Sequence, residues 1–132
     1  MKLVVGITGS TGVIYGIRLL EILKRLNIET HLVMSQWAEK CVSMETNHDL
    51  NYVKSLATES SDEANMAASI SSGTHKTDGM IVIPCSMKTL SSVANGYDET
   101  LVARAAGVML KESRKLILVV RETPLTAINL EN

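Results

Sequence analysis

Apolar runs alternate with amphipathic stretches along the chain. Leu3–Thr8 is a continuous β-branched and apolar run without alternation, which predicts a buried strand. Over Gly12–Asn27 the residues Ile14, Ile17, Leu20, Ile22, Leu23 and Leu26 recur at helical spacing, and Arg18, Glu21, Lys24 and Arg25 cover the other side. Thr30–Met34 predicts a second short strand. Ser35 then caps a helix running to Glu45, with Ala38, Cys41, Val42 and Trp37 turned inward. The pattern weakens beyond this point: a short helix within Asp49–Thr58, a loop over Ser60–Asn65, helix or turn over Ala64–Ile70 and an irregular loop over Ser69–Gly73. It sharpens again at Gly79–Pro84, a buried strand that Pro84 ends. A helix closed by Asn95-Gly96 follows, then a helix from Asp98–Thr100 to about Ser113, a buried strand over Lys115–Val120 and the opening of one more helix in Thr126–Asn132.

Strands alternating with helices predict an α/β fold, a doubly wound parallel sheet covered on both faces, in one domain over residues 1–132. The first strand and the strand at residues 79–83 are expected side by side, with the chain reversing direction between them. Ligands of such sheets bind at that switch point, outside the carboxyl ends of the strands. Two turns face it. Gly9-Ser10-Thr11-Gly12 leads from strand to helix and leaves N–H groups free at the positive end of a helix dipole, an anion cradle. It is neither a Walker A loop nor a GxGxxG fingerprint. Ser86, Met87, Lys88 and Thr89 open the helix after the other strand, where Ser86 serves either as a plain N-cap or as a phosphate ligand. A third turn, Arg121-Glu122-Thr123-Pro124, offers an anion-binding guanidinium and a carboxyl able to move a proton, or merely a surface ion pair.

Composition narrows the function. With 13 basic and 14 acidic residues spread along the chain, no basic stripe points to nucleic acid or to a membrane surface. Cys41 and Cys85 are far apart, and His31, His48 and His75 form no ligand pair. No metal site and a cytoplasmic, reduced location are expected. Cys85 reads as a small buried residue rather than a nucleophile, and the run Lys111, Glu112, Arg114, Lys115 as a solvated helix end. Seven methionines and no Phe suggest adaptable packing or a buried interface.

Several blocks together carry a specific resemblance: Val5-Gly6-Ile7-Thr8-Gly9-Ser10-Thr11-Gly12, Pro84-Cys85-Ser86-Met87-Lys88-Thr89-Leu90, Ala94-Asn95-Gly96-Tyr97, Arg104-Ala105-Ala106 and Arg121-Glu122-Thr123-Pro124-Leu125. In this order they resemble the UbiX/Pad-type flavin prenyltransferases. The resemblance implies a Rossmann-like (flavodoxin-like) three-layer fold, FMN as cofactor and a homo-oligomer, a dodecamer in the family. The implied reaction moves a dimethylallyl group from dimethylallyl phosphate to reduced FMN, making the prenylated cofactor of a UbiD-type aromatic acid decarboxylase. By the same resemblance, Gly9, Ser10, Thr11, Gly12, Ser35, Ser86, Met87, Lys88, Thr89 and Arg121 bind FMN. Arg104 and Lys111 meet the prenyl phosphate, and Thr11, Glu45, Lys111 and Glu122 take catalytic positions, Glu122 as the acid for the departing phosphate. Thr11 stands where many members have Ser, Val120 where Pro is usual, Gly107 where Asp is common and Asn129 where His is common. Family chains continue through a further strand and helix carrying a Tyr and an Arg for dimethylallyl phosphate, so FMN binding is expected to be more robust here than prenyl transfer. Two other functions share these turns: a non-catalytic FMN-binding subunit of a decarboxylase system, and an FMN-dependent decarboxylase of the cysteine-decarboxylase type.

Overall fold

The structure, a computed structural model, describes residues 1–132. Five strands form one parallel sheet: β1 (Lys2–Ile7), β2 (Glu29–Met34), β3 (Glu59–Asp62), β4 (Gly79–Cys85) and β5 (Lys115–Val120), in the order β3-β2-β1-β4-β5. The helices are α1 (Val13–Arg25), α2 (Gln36–Glu45), α3 (Leu50–Ser55), α4 (Met87–Ala94), α5 (Leu101–Lys111) and α6 (Ala127–Glu131). A single 3-10 turn spans Ser69–Ser71.

Side-chain alternation along the strands splits the core in two. Val5, Ile7, Leu32 and Met34 face α1, α2 and α3, where Ile17, Leu20, Ala38, Val42 and Val53 are buried with them. Val4, Val33, Met80 and Val82 face the other way onto Leu101, Val102, Ala105, Ala106 and Met109 of α5, with Leu90 and Val93 of α4 alongside. Helices therefore cover both faces, the three-layer arrangement that continuous apolar strands require. Removing one such side chain, as in Leu20→Ala, would cost about 2–5 kcal/mol.

The order in which strands are added reverses between β1 and β4, which are parallel hydrogen-bonded neighbours (Leu3 beside Gly79, Gly6 beside Val82). Their carboxyl ends open on one crevice. Caps fix where the helices start there: Ser35 Oγ accepts from Ala38 N at 3.0 Å, and Ser86 Oγ from Thr89 N at 3.2 Å.

Four local expectations are corrected. Residues 60–62, expected in the loop over Ser60–Asn65, form a strand with Glu59, because β2 offers a free edge that pairs even this polar segment, His31 beside Glu59. Pro84 does not end its strand: β4 continues to Cys85, and the Pro84 carbonyl accepts from Thr8. The β5 strand is not buried. It lies at the sheet edge, and Ile117, Val119 and Val120 are exposed. Trp37 does not turn inward and is 54% exposed.

Candidate functional site

Thr8 ties the two principal turns together. Its buried hydroxyl donates to the Pro84 carbonyl at 2.7 Å and accepts from Ser86 N at 2.8 Å, while its own N–H reaches Pro84 O at 3.2 Å. The turn after β1 and the turn after β4 are thereby fixed edge to edge. The third turn joins them where Ser10 Oγ donates to the Arg121 carbonyl at 3.3 Å.

Two connected cavities lie over this junction, sharing Gly9, Trp37 and Ser86 as common wall. The first, of about 390 Å³, is lined by hydroxyls and ammonium groups: Thr8, Ser35, Ser86, Thr89, Ser92 and Thr100, with Lys40 and Lys88, against one carboxylate, Glu63. The second, of about 370 Å³, is softer. Met44, Met87, Cys41 and Trp37 line it together with Thr11, Glu45, Arg121 and Glu122. The three turns singled out from the sequence thus meet around one cleft, and Ser35, Ser86, Lys88, Thr89, Gly9, Ser10, Thr11, Met87, Arg121, Glu122 and Glu45 all line it.

The α1 N-terminus is occupied from within the chain. Gly12 takes φ +112°, a conformation that favours glycine, and its N–H donates to Glu45 Oε1 at 3.0 Å. A carboxylate from α2 therefore sits where the isolated turn offered an anion cradle, and the favourable dipole interaction goes to Glu45. Gly9 has a different reason to be glycine: a Cβ there would overlap the Trp37 indole. Cys85, buried beneath the cleft, has its thiol pushed up to about 11 by burial, and burial and Glu45 also push up the Cys41 thiol. Neither is a ready nucleophile at neutral pH.

Arg104 and Lys111 are not brought to this cleft. Both lie along α5 and line a separate cavity of about 670 Å³, together with Ser71–Thr74, Asp98 and Glu112, sharing no residue with the other two. Arg104 is held there by Asp98 at 2.6 Å and by the Ser71 carbonyl at 3.1 Å. The neighbouring charge run is not simply solvated either: Arg114 donates to the carbonyls of Gly73 (2.8 Å) and His75 (2.9 Å) and pins the loop after the 3-10 turn. No group of His, Cys, Asp and Glu is placed to hold a metal ion, and no helix is long and apolar enough to cross a membrane.

Sequence reasoning missed Thr8, Lys40, Glu63, Ser92 and Thr100 as cleft residues. Thr8 carried a signal, a hydroxyl closing an otherwise apolar strand. The other four have none, since only the fold brings them to the junction.

The donor set fits a phosphorylated planar ligand: hydroxyls and two ammonium groups in one cavity, sulfur and aromatic walls in the other. The comparisons agree. The family model "Flavoprotein" matches residues 1–131. The "Probable UbiX-like flavin prenyltransferase" of Escherichia coli O157:H7 is 56% identical over all of this chain and 68% of its own length. A solved "dodecameric FMN-dependent Ubix-like Decarboxylase" from the same organism superposes with a TM-score of 0.97 at 55% identity, over 99% of this chain and 71% of that one. "AnUbiX (PadA1) in complex with FMN and dimethylallyl pyrophosphate" does so with a TM-score of 0.97 at 51% identity, over 98% of this chain and 69% of that one. This chain spans roughly two thirds of the length of these proteins. With the strand order, the meeting of the three turns and matches of this extent, the chain belongs to the UbiX-like flavin prenyltransferases, a family of flavoproteins.

Proposed function

We propose that the chain binds FMN across the two joined cavities and transfers a dimethylallyl group to it from dimethylallyl phosphate, supplying prenylated FMN to a UbiD-type decarboxylase. The observation that carries this is the pairing of a hydroxyl-and-lysine cavity with a methionine-lined cavity that holds Thr11, Glu45, Arg121 and Glu122. Ser35, Ser86, Lys88 and Thr89 hold the flavin phosphate. Gly9 and Ser10 line the cleft at the turn after β1, Gly12 shapes that turn through its bond to Glu45, and Met87 and Arg121 border the ring system. When bound, reduced FMN supplies the nucleophilic ring atoms.

This chain's own residues meet the charge that develops as the allylic carbon–oxygen bond breaks. The departing phosphate leaves with the bonding electron pair, and Glu122 gives it a proton. Cations facing that oxygen lower the barrier because they bind the leaving charge more tightly than the ground state. Thr11 faces the reacting end, and Glu45 fixes its turn through the Gly12 N–H.

Arg104 and Lys111 match the family's prenyl-phosphate positions yet line another cavity. They serve the reaction in a homo-oligomer, where a second copy presents its α5 surface to the cleft. The dodecameric state of the E. coli relative supports this arrangement. Two free buried cysteines are consistent with a cytoplasmic location.

Glu122→Gln tests the proton role. Turnover should fall about 10²- to 10⁴-fold while FMN uptake is retained. Unchanged turnover would remove Glu122 from the mechanism.

A further inference from the structure

The indole of Trp37 stands in an unusual place for an aromatic ring. It is 54% exposed, it is seated against the bare backbone of Gly9, and it forms part of the wall common to both cavities. Burial does not explain it, since the core side of α2 is made by Ala38, Cys41 and Val42. One turn further along the same helix, Lys40 places its ammonium 5.7 Å from the ring centroid, a cation–π contact, and it lines only the hydroxyl-rich cavity. Lys40 faces the phosphate end of the cleft and Met44 the soft end, with Trp37 between them.

We propose that Trp37 is a flavin-contact residue that sets the direction in which the cofactor lies. Its electron-rich ring packs on the electron-poor isoalloxazine at the boundary of the two cavities. It also holds the Lys40 ammonium over the phosphate end as a second cation beside Lys88. Gly9 is the counterpart of this arrangement, because any side chain there would displace the indole. The inference rests on the flavin reading of the cleft and adds two residues to it.

Riboflavin, which lacks the phosphate, separates the two contributions. Binding of FMN and of riboflavin is measured by equilibrium dialysis for the wild type, Trp37→Leu, Trp37→Phe and Lys40→Gln, together with the emission of the bound flavin. Trp37 is the one tryptophan of these 132 residues, so within them no other indole can quench that emission by contact. W37L should weaken both flavins by about 3- to 10-fold and brighten the bound flavin. W37F should keep most of the affinity yet also brighten it. K40Q should weaken FMN several-fold and leave riboflavin unchanged. As Trp37 is half exposed, these variants should unfold at the wild-type midpoint, and W37F keeps the aromatic volume should W37L fail to fold. W37L and W37F binding both flavins like the wild type, with unchanged emission, would overturn the role of Trp37 while leaving the flavin site standing. Loss of FMN affinity alone in W37L would also overturn it, since the indole would then act only through Lys40. If the wild type takes up neither flavin, the reading of the cleft itself falls, and this inference with it.

Discussion

Thr8 is the side chain on which the cleft depends: it lines the first cavity and also joins the two turns that form it. One hydroxyl satisfies the N–H of Ser86 and gives the Pro84 carbonyl, which also accepts from Thr8 N–H, a second donor. Thr8→Val keeps the shape and removes both bonds. It should lower stability by about 1–3 kcal/mol and loosen flavin binding, as read by denaturant unfolding and FMN titration, whereas Thr8→Ser should retain most of both. An unchanged unfolding midpoint in the valine variant would show that the two turns are held by the sheet alone. At this scale the sequence revealed the residue types of the site but not their partners. Ser35 and Ser86 were recognisable as caps, and caps they are, yet they also line the cleft. Glu45 was matched to a catalytic position, but its bond to Gly12 N joins segments 33 residues apart, which no local pattern encodes. Trp37 was misplaced because helical periodicity marks an aromatic as core whether its neighbour is a side chain or a bare glycine backbone.

At the scale of the element, what the sequence left obscure lies at the two sheet edges. The β3 strand is Glu-Ser-Ser-Asp, with no β-type signal, and exists because β2 holds out an unpaired edge. Without it the order would run 2-1-3-4, the beginning of a flavodoxin sheet; with it the order is Rossmann-like. The β5 strand shows the opposite failure: an apolar run looks the same whether covered on both faces or standing at an edge. One polar feature fastens β3. His31, buried on β2, has Nε2 2.7 Å from Ser61 Oγ, while Nδ1 lies 3.0 Å from Glu59 Oε2 without the alignment of a hydrogen bond. Burial pushes the His31 imidazole below its ordinary value of 6.5, opposed by the Glu59 carboxylate and reinforced by Lys2 and His75. The unfolded chain therefore binds the proton more readily than the folded one. Stability from this site is fully present above about pH 6.5 and is lost as the pH falls towards the folded value. Unfolding free energies measured from neutral to mildly acidic pH should decline in that window, and the decline should shrink in His31→Gln, which still reaches Ser61. An equal decline in the glutamine variant would assign the acid sensitivity elsewhere.

For the whole molecule, the sheet and its switch point were legible because β1 and β4 are strongly apolar and each runs into a serine-bearing turn that opens a helix. The separation of Arg104 and Lys111 from the cleft was not, because spacing along the chain does not say that α5 turns these two side chains to a different cavity. The shared-site account makes a test by mixing. Lys111→Ala and Glu122→Gln should each be nearly inactive alone. When the two are unfolded and reassembled together, activity should return, since some sites would receive an intact Lys111 from one copy and an intact Glu122 from another. No recovery in the mixture would place both residues in a site made by one chain. Whether this cleft prenylates a flavin is read from the mass of the flavin it releases. The protein is incubated without oxygen with reduced FMN and dimethylallyl phosphate, with the diphosphate in parallel, and the extracted flavin is weighed by mass spectrometry. FMN heavier by one prenyl unit is expected, formed from the monophosphate and lost in Glu122→Gln. FMN recovered bound but unaltered with both donors would contradict it and leave a flavin-binding subunit in its place.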